Sequence, residues 1–159
     1  MKIYYYSATC NTKKLAQTLS LRLPGKLIEL SPKKEFSSFK PLFFLQSLLS
    51  ALSKSRLPLK DYERPGDQDE IIICFPIWAD DFAAPVLTFL NENELKGARV
   101  SLASCSRRSS AEMAWENFKR LQPQAQLNAA ENFLTGKGKE MTVDRKDVLS
   151  WIGKLKKGA

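Results

Sequence analysis

The fold of this chain is decided by its first residues, Lys2-Ile3-Tyr4-Tyr5-Tyr6-Ser7-Ala8-Thr9-Cys10-Asn11-Thr12-Lys13-Lys14-Leu15-Ala16. The isoleucine and the three tyrosines at 3–6 predict a β-strand over 2–6, and the spacing of the leucines at 15, 19 and 23 predicts a helix over 11–23. The polar turn at 7–12 leads from the strand into the helix. A helix that begins there presents unpaired N–H groups and the positive end of its dipole, which favour an anion. Hydroxyl groups of Ser7, Thr9 and Thr12 lie in the same turn, so the sequence predicts a phosphate site.

The overall composition is that of one soluble globular domain. The chain has 159 residues, of which 43% are hydrophobic and 26% are charged. No signal-peptide pattern precedes the first strand. The longest apolar stretch, over 42–52, is interrupted by Gln46, Ser47 and Ser50 and is too short to span a bilayer. We therefore expect a single domain over residues 1–159, located in the cytoplasm and not attached to a membrane.

The cysteine and histidine content excludes several enzyme classes. The chain contains no histidine, and its three cysteines, Cys10, Cys74 and Cys105, form no CxxC pair. Zinc sites that mix histidine with cysteine and catalytic Ser-His or Cys-His pairs are therefore excluded. Cys74 lies in an apolar run and is expected in the core. Cys10 and Cys105 fall in two predicted site loops, and a redox pair between them would need their Cα atoms within about 7 Å.

The formal net charge of +8 allows more than one interpretation. A basic chain can attract nucleic acid, an acidic protein or anionic lipid. Alternatively, the lysines are scattered over solvated helix faces and a C-terminal tail that contains Lys154, Lys156 and Lys157. Because the sequence shows no RNA-binding aromatic motif and no zinc-finger spacing, a nucleic-acid partner is the less favoured interpretation.

Strand and helix signals alternate along the chain. Strands are predicted over 2–6, 26–30, 71–75, 99–103 and 126–133, and helices over 11–23, 41–54, 85–90, 111–121 and 143–156. This alternation predicts an α/β fold in which helices cover both faces of a parallel sheet. The continuous apolar run at 71–75 is typical of a strand in the middle of such a sheet. Ligands of these sheets bind at the carboxyl ends of the strands.

Three polar or aromatic loops are predicted at those carboxyl ends. The turn at 7–12 suits phosphate, although simple helix capping by Thr9 or Asn11 would also explain it. In the loop from Pro76 to Asp81, Trp78 suits stacking on a planar ring, or else packing within the loop. The loop over 104–109 suits hydrogen bonds to the polar edge of a ligand, or else capping of the next helix. Together the three loops describe a ligand that has a phosphate and a flat ring.

The chain resembles the flavodoxin family along nearly its whole length. The residues from Ile3 to Thr12 are similar to the family's phosphate loop for flavin mononucleotide (FMN), usually written S/T-x-T-G-N-T. The residues from Asp69 to Ala79 are similar to the third strand and the loop that flanks the flavin. The pattern continues from Ala84 to Gly97 and into a fourth strand.

The resemblance implies a flavodoxin-like three-layer sandwich with a five-stranded parallel sheet in the order 2-1-3-4-5 and a non-covalently bound FMN. It also implies electron transfer or a small flavin-dependent reductase activity, with a redox partner protein or a nicotinamide nucleotide. The implied FMN-binding residues fall into three groups, the phosphate loop (Ser7, Thr9, Cys10, Asn11, Thr12), the flavin-flanking loop (Pro76, Ile77, Trp78, Ala79) and the loop at the polar edge of the ring (Ser104, Cys105, Ser106, Arg107).

The sequence departs from the family pattern in all three loops. Cys10 stands where the family usually has glycine, and Asp80 and the residues 105–107 also replace glycines that are common in relatives. Because glycine permits positive φ and close backbone approach, these loops are bulkier than the pattern. The alternative is therefore a flavodoxin-fold module that has lost its flavin and acts by binding another protein. Flavodoxins are typically acidic and dock basic partners, whereas this chain has the opposite charge.

Overall fold

The computed structural model describes residues 1–34, 57–107, 110–135 and 144–157. The predicted helix over 41–54, the loop over 136–138 and Arg108 lie outside the described residues. The elements in chain order are β1 (Lys2–Tyr5), α1 (Asn11–Ser20), β2 (Lys26–Glu29), β3 (Glu70–Trp78), β4 (Asp81–Phe82), α2 (Ala84–Glu92), β5 (Arg99–Ser106), α3 (Glu112–Leu121), β6 (Gln126–Leu134) and α4 (Arg145–Lys157).

The sheet confirms the predicted α/β architecture. Five parallel strands are ordered β2-β1-β3-β5-β6, and the two-residue strand β4 pairs only with β3, in the antiparallel direction. Ile3 of β1 lies in register between Leu27 of β2 and Ile72 of β3. Without β4, the parallel strands follow the order 2-1-3-4-5. Because all five are parallel, their carboxyl ends meet at one edge of the sheet, which we call the carboxyl edge.

Two helical layers cover the sheet. One face of the central strands, with Tyr4 and Phe75, packs against α2 and α3 through residues such as Phe89 and Phe118. The other face packs against α1 and α4, where Leu15, Leu19 and Trp151 are almost fully buried. Burial of a large apolar side chain contributes about 1.5–3 kcal/mol to folding. The two layers therefore fix the sheet, and with it the carboxyl edge.

Two segments that we predicted as loops are ends of strands. β3 continues through Trp78 and turns back into β4, so the residues 76–78 are not part of a loop. β5 continues through Ser106, which pairs with Leu134 of β6. Both predictions were wrong for the same reason, because the residues are held in extended backbone by partner strands that the local pattern does not reveal.

The three cysteines are free. Cys74 is fully buried, as predicted, and Cys105 is also buried, whereas Cys10 is exposed. The described part of the chain contains no group of cysteines and carboxylates that could hold a metal ion. Within the same residues, no helix is long and apolar enough to cross a membrane.

Candidate functional site

The N-terminus of α1 lies at the carboxyl edge and has no side-chain cap. Cys10 occupies the N-cap position, and its side chain makes no capping hydrogen bond. The first helical hydrogen bond runs from the Lys14 amide to the Cys10 carbonyl, at 3.0 Å. The N–H groups of the first turn therefore have no acceptor within the helix. The alternative interpretation, simple capping by Thr9 or Asn11, is not observed, since these two side chains bond each other, through Asn11 Nδ2 and Thr9 Oγ1 at 3.3 Å.

Cys10 has the backbone conformation of a glycine. Its φ of 65° and ψ of −9° lie in the left-handed region. A residue with a Cβ atom adopts this conformation at a cost of about 1–2 kcal/mol. Cys10 therefore holds a backbone conformation that glycine adopts freely, and its side chain adds strain.

The loop between β1 and α1 also holds an unsatisfied hydroxyl group. Ser7 Oγ is buried and has no hydrogen-bond partner among the described residues. Such groups are rare in folded proteins, because the lost hydration costs about 1–3 kcal/mol. In addition, the first turn of α1 contains Lys13 and Lys14 and no acidic residue. Positive side chains next to the positive end of the helix dipole are unfavourable by themselves. A bound anion would offset both positive charges, so the loop is electrostatically suited to an anion.

The second predicted loop forms a tight hairpin between β3 and β4. Ala79 and Asp80, its two central residues, have φ values of 48° and 62°, the pattern of a type I′ turn. Asp81 anchors the hairpin to α3, because its Oδ2 accepts a hydrogen bond from Asn117 Nδ2 at 2.5 Å. On the other side, the Trp78 ring packs edge-on against Tyr6 with ring centroids 5.6 Å apart. The hairpin is therefore held from two directions.

A cleft of about 180 Å³ opens between the three segments. It is lined by Thr9, Asn11, Thr12, Pro76, Ile77, Cys105, Ser106, Arg107 and Thr135. Eight of the thirteen predicted site residues therefore meet in one cleft. The remaining five, Ser7, Cys10, Trp78, Ala79 and Ser104, do not line it. The volume suits a phosphate or one part of a larger ligand, since whole small molecules occupy pockets of about 300–1,000 Å³.

A buried thiol joins two of these segments. Burial raises the pKa of Cys105 to about 12, and a side-chain hydrogen bond with Thr12 acts in the opposite direction. The thiol is therefore protonated at neutral pH, and it connects the end of β5 to the first turn of α1. A protonated, buried thiol is inert. The structure thus gives no support to a redox pair between Cys105 and the exposed Cys10.

The third wall of the cleft is organised by hydrogen bonds between β5 and β6. Ser104 Oγ donates to Asn132 Oδ1 at 2.9 Å, so this hydroxyl group links β5 to β6. Thr135 donates its N–H and its Oγ1 hydroxyl to the carbonyl of Ser106, at 2.9 and 3.1 Å. Thr135 lines the cleft and was missed by the sequence analysis. Its position directly after the last parallel strand is the signal that could have identified it.

The charged side chains around the cleft are distributed unevenly between basic and acidic. Among the described residues that line it, none is acidic and one, Arg107, is basic. The exposed Asp80 lies at the tip of the β3–β4 hairpin, and Asp81 is bonded to α3. A ligand in the cleft therefore meets hydroxyl groups, amides and a guanidinium group, which favour a negatively charged ligand.

Neither a protein-family model nor a curated protein matches this chain. Solved structures do match over nearly the full length. A protein provisionally described as a flavoprotein from Bacteroides uniformis is 24% identical, with a TM-score of 0.76 over 95% of this chain and 96% of that one. Its counterpart from Bacteroides eggerthii is 22% identical, with a TM-score of 0.75 over 98% and 96%.

A third match is a flavoprotein in complex with FMN from Lactobacillus acidophilus, which is 18% identical, with a TM-score of 0.68 over 95% of this chain and 97% of that one. At these identities the likeness concerns the fold. The strand order observed in the sheet is the flavodoxin-like order among doubly wound folds. The chain therefore has the flavodoxin-like fold that these flavoproteins share.

Proposed function

We propose that this protein binds FMN at the carboxyl edge and acts as an electron carrier or a small FMN-dependent reductase. One observation carries the proposal: the uncapped N-terminus of α1 and the buried, unpartnered hydroxyl group of Ser7 belong to the same loop, beside the cleft. Both are donors without acceptors, and a phosphate supplies acceptors. The FMN-bound structure from Lactobacillus acidophilus, which has the same fold, supports the choice of FMN.

The phosphate would be held by the loop that connects β1 to α1. Ser7, Thr9 and Thr12 offer hydroxyl groups, Asn11 offers a side-chain amide, and the first turn of α1 offers backbone N–H groups. A dianion there would also offset the unfavourable placement of the lysines in the first turn. Cys10 would contribute its backbone, which already follows the path of a glycine.

The ring system would lie between the β3–β4 hairpin and the end of β5. Pro76 and Ile77 give the cleft an apolar wall, which Trp78 and Ala79 extend along the hairpin. Cys105, Ser106 and Arg107 form the polar side, and Ser104 holds β6 behind them. The residues present therefore fit a ligand that has both a phosphate and a flat ring.

Bound flavin supplies reversible electron transfer, and the protein tunes its affinity and potential through nearby groups. Among the described residues that line the cleft, Arg107 is the charged one. One unit charge at about 6 Å and an effective dielectric of 20 is worth roughly 3 kcal/mol before solvent screening. Arg107 therefore favours the more negative, reduced form of a bound flavin. The electron donor and acceptor would be a redox partner protein or a nicotinamide nucleotide.

The decisive experiment is a titration of the purified apoprotein with FMN and, in parallel, with riboflavin, which lacks the phosphate. We expect quenching of flavin fluorescence by the protein at micromolar FMN and at least a tenfold weaker affinity for riboflavin, which is about 1.4 kcal/mol. Equal affinity for the two flavins would place the phosphate outside the loop at 7–12. Absence of quenching by either flavin would favour the alternative module without flavin.

A further inference from the structure

The two helical layers of this protein carry opposite charges. In the layer of α1 and α4, with the residues that flank it, the side chains that the structure describes include six basic ones (Lys13, Lys14, Arg22, Lys146, Lys154, Lys156) and two acidic ones (Asp144, Asp147). We call this surface the basic face. Among the side chains that the structure describes, the layer of α2 and α3, with its flanking turns, has six acidic ones (Asp80, Asp81, Glu92, Glu94, Glu112, Glu116) and four basic ones (Lys96, Arg107, Lys119, Arg120).

The charge of the basic face is largely uncompensated. Among the described residues, Lys154 is the member of the face that forms an ion pair, with Glu131 of β6 at 3.6 Å. Both side chains of this pair are exposed, and exposed pairs contribute little, typically about 0–1 kcal/mol. The excess of lysines is therefore available to a partner. Charge of one sign on one face also orients a protein during diffusional encounter.

The basic face is continuous with the proposed FMN site. α1 and α4 pack in one core cluster, and each follows a parallel strand, so both helices begin at the carboxyl edge. Lys13, Lys14 and Lys146 lie in or next to the first turns of these helices. A protein bound to this face would therefore lie beside the cleft, as electron transfer between two proteins requires.

The face also presents exposed apolar side chains. Leu21, directly after α1, is 82% exposed, and Leu149 of α4 is 38% exposed. Protein interfaces combine such apolar contacts with a charged rim. Single-stranded nucleic acid is instead bound through exposed aromatic rings, and none of the large apolar side chains exposed in the described residues is aromatic.

We propose that the basic face docks an acidic protein that exchanges electrons with this one. The docking follows from charge and exposure alone, and the electron exchange rests on the proposed function. The charge relation is the reverse of the one that the family resemblance implies, in which an acidic flavodoxin docks a basic partner. Complementary charge would act mainly on the rate of association and on the choice of partner.

The docking can be tested without flavin. The probe is a fluorescently labelled plant-type ferredoxin, a small acidic [2Fe–2S] protein, whose anisotropy is measured during titration with the unlabelled chain. We expect saturable binding that weakens at least tenfold between about 50 mM and about 200 mM salt. The double variant Lys146→Glu/Lys156→Glu should weaken binding at least tenfold. The matched variant Lys96→Glu/Lys119→Glu, which alters the net charge equally on the opposite face, should change it less than twofold.

Two results would overturn the proposal. Equal losses in the two double variants would show that only net charge matters, and tighter binding of a single-stranded DNA 20-mer to the same face would assign the face to nucleic acid. Circular dichroism checks that both variants fold. A second measurement uses the FMN-loaded protein in stopped flow, where one electron passes from the reduced [2Fe–2S] cluster of the ferredoxin to oxidised FMN. The second-order rate constant of this electron transfer should fall in Lys146→Glu/Lys156→Glu and not in the matched variant. If FMN does not bind, the proposed function fails while the anisotropy result still decides the docking.

Discussion

The two edges of the sheet differ in backbone strain and in whether their polar groups have hydrogen-bond or ion-pair partners. At the carboxyl edge, the non-glycine residues Cys10, Ala79 and Asp80 have positive φ, and Ser7 Oγ is buried without a partner. At the opposite, amino edge, Gln68 is the non-glycine residue with a positive φ among those that the structure describes, and the corresponding position before β5 is a glycine, Gly97.

Polar groups at the amino edge are paired in a small network. Lys2 contacts Asp69 at 2.9 Å and Glu63 at 3.4 Å, and Glu63 also pairs with Lys26. Asp69 Oδ2 in turn accepts the Gly66 amide at 2.6 Å. Strain and unpaired groups persist where a function requires them, whereas an edge without a ligand can relax. The comparison therefore supports the proposed binding site at the carboxyl edge, where backbone strain and an unpaired polar group occur together.

The largest effect is expected for Cys10→Asp at the carboxyl edge. Aspartate caps helices well and tolerates the left-handed region, so we expect the free energy of unfolding to rise by about 1 kcal/mol. The same carboxylate would repel the phosphate, and the affinity for FMN should fall about thirtyfold, which is about 2 kcal/mol. Urea unfolding and FMN titration measure the two opposite changes.

The matched control is Cys10→Asn, which has a similar shape and no charge. We expect it to change the FMN affinity less than threefold. If both variants lose affinity equally, the loop senses size rather than charge, and the proposed phosphate site is wrong.

Gly97 at the amino edge and Cys10 at the carboxyl edge both have positive φ, so backbone strain can be added at one edge and removed at the other. Gly97 has a φ of 71°, so Gly97→Ala should lower the free energy of unfolding by about 1–2 kcal/mol. The added Cβ would also lie 3.3 Å from Gln68 Cγ. Cys10→Gly should instead raise stability by up to about 1 kcal/mol, because strain is relieved. Urea unfolding of both variants tests the pair, and equal destabilisation by both would contradict the strain assigned to Cys10.

The network at the amino edge should be visible in the pH dependence of stability. The Gly66 amide, and then Lys2, lower the pKa of Asp69 below its ordinary value of 3.8. The unfolded chain therefore takes up this proton at a higher pH than the folded one. The contribution of Asp69 is fully present above the ordinary pKa and is lost as the pH falls through the folded pKa.

We expect Asp69→Asn to lower stability by about 1 kcal/mol at pH 7 and to have a smaller effect at pH 3. Thermal unfolding at the two pH values checks this. FMN affinity serves as the control and should not change, because Asp69 precedes β3 at the far edge from the cleft. A constant effect at both pH values would contradict the role of its ionised form.

The smallest effect is expected for Ser7→Ala. Removal of a buried hydroxyl group without a partner should leave the stability of the apoprotein unchanged or raise it by up to about 1 kcal/mol. FMN affinity should fall about threefold to tenfold, as for one lost hydrogen bond. Ser101→Ala is a suitable control, because Ser101 Oγ accepts a hydrogen bond from Asn128 Nδ2 at 3.3 Å, away from the cleft. This control should lower stability slightly and leave FMN affinity intact, and the opposite pattern would remove Ser7 from the site.

Parts of the fold and of the site were predictable because their signals are local. The apolar residues 71–75 identified the central strand, and the strand-to-helix junction at Ser7 predicted the loop that the proposed function assigns to phosphate. The hairpin strand β4 was missed because two residues show no periodicity. The extended backbone of Ser104 and Ser106 was missed because it depends on β6, more than twenty-five residues later. Opposite charges on the two layers became visible only when each helix had been assigned to a face of the sheet.

The unequal exposure of the three thiols makes selective chemical labelling of one of them possible. Cys74 is fully buried and Cys105 is 5% exposed, whereas Cys10 is exposed at the start of α1. A maleimide dye or spin label should therefore react at one position in the unmodified, native chain. That position borders the cleft and adjoins Lys13 and Lys14, so a single label could report both the arrival of a small molecule and the approach of a second protein.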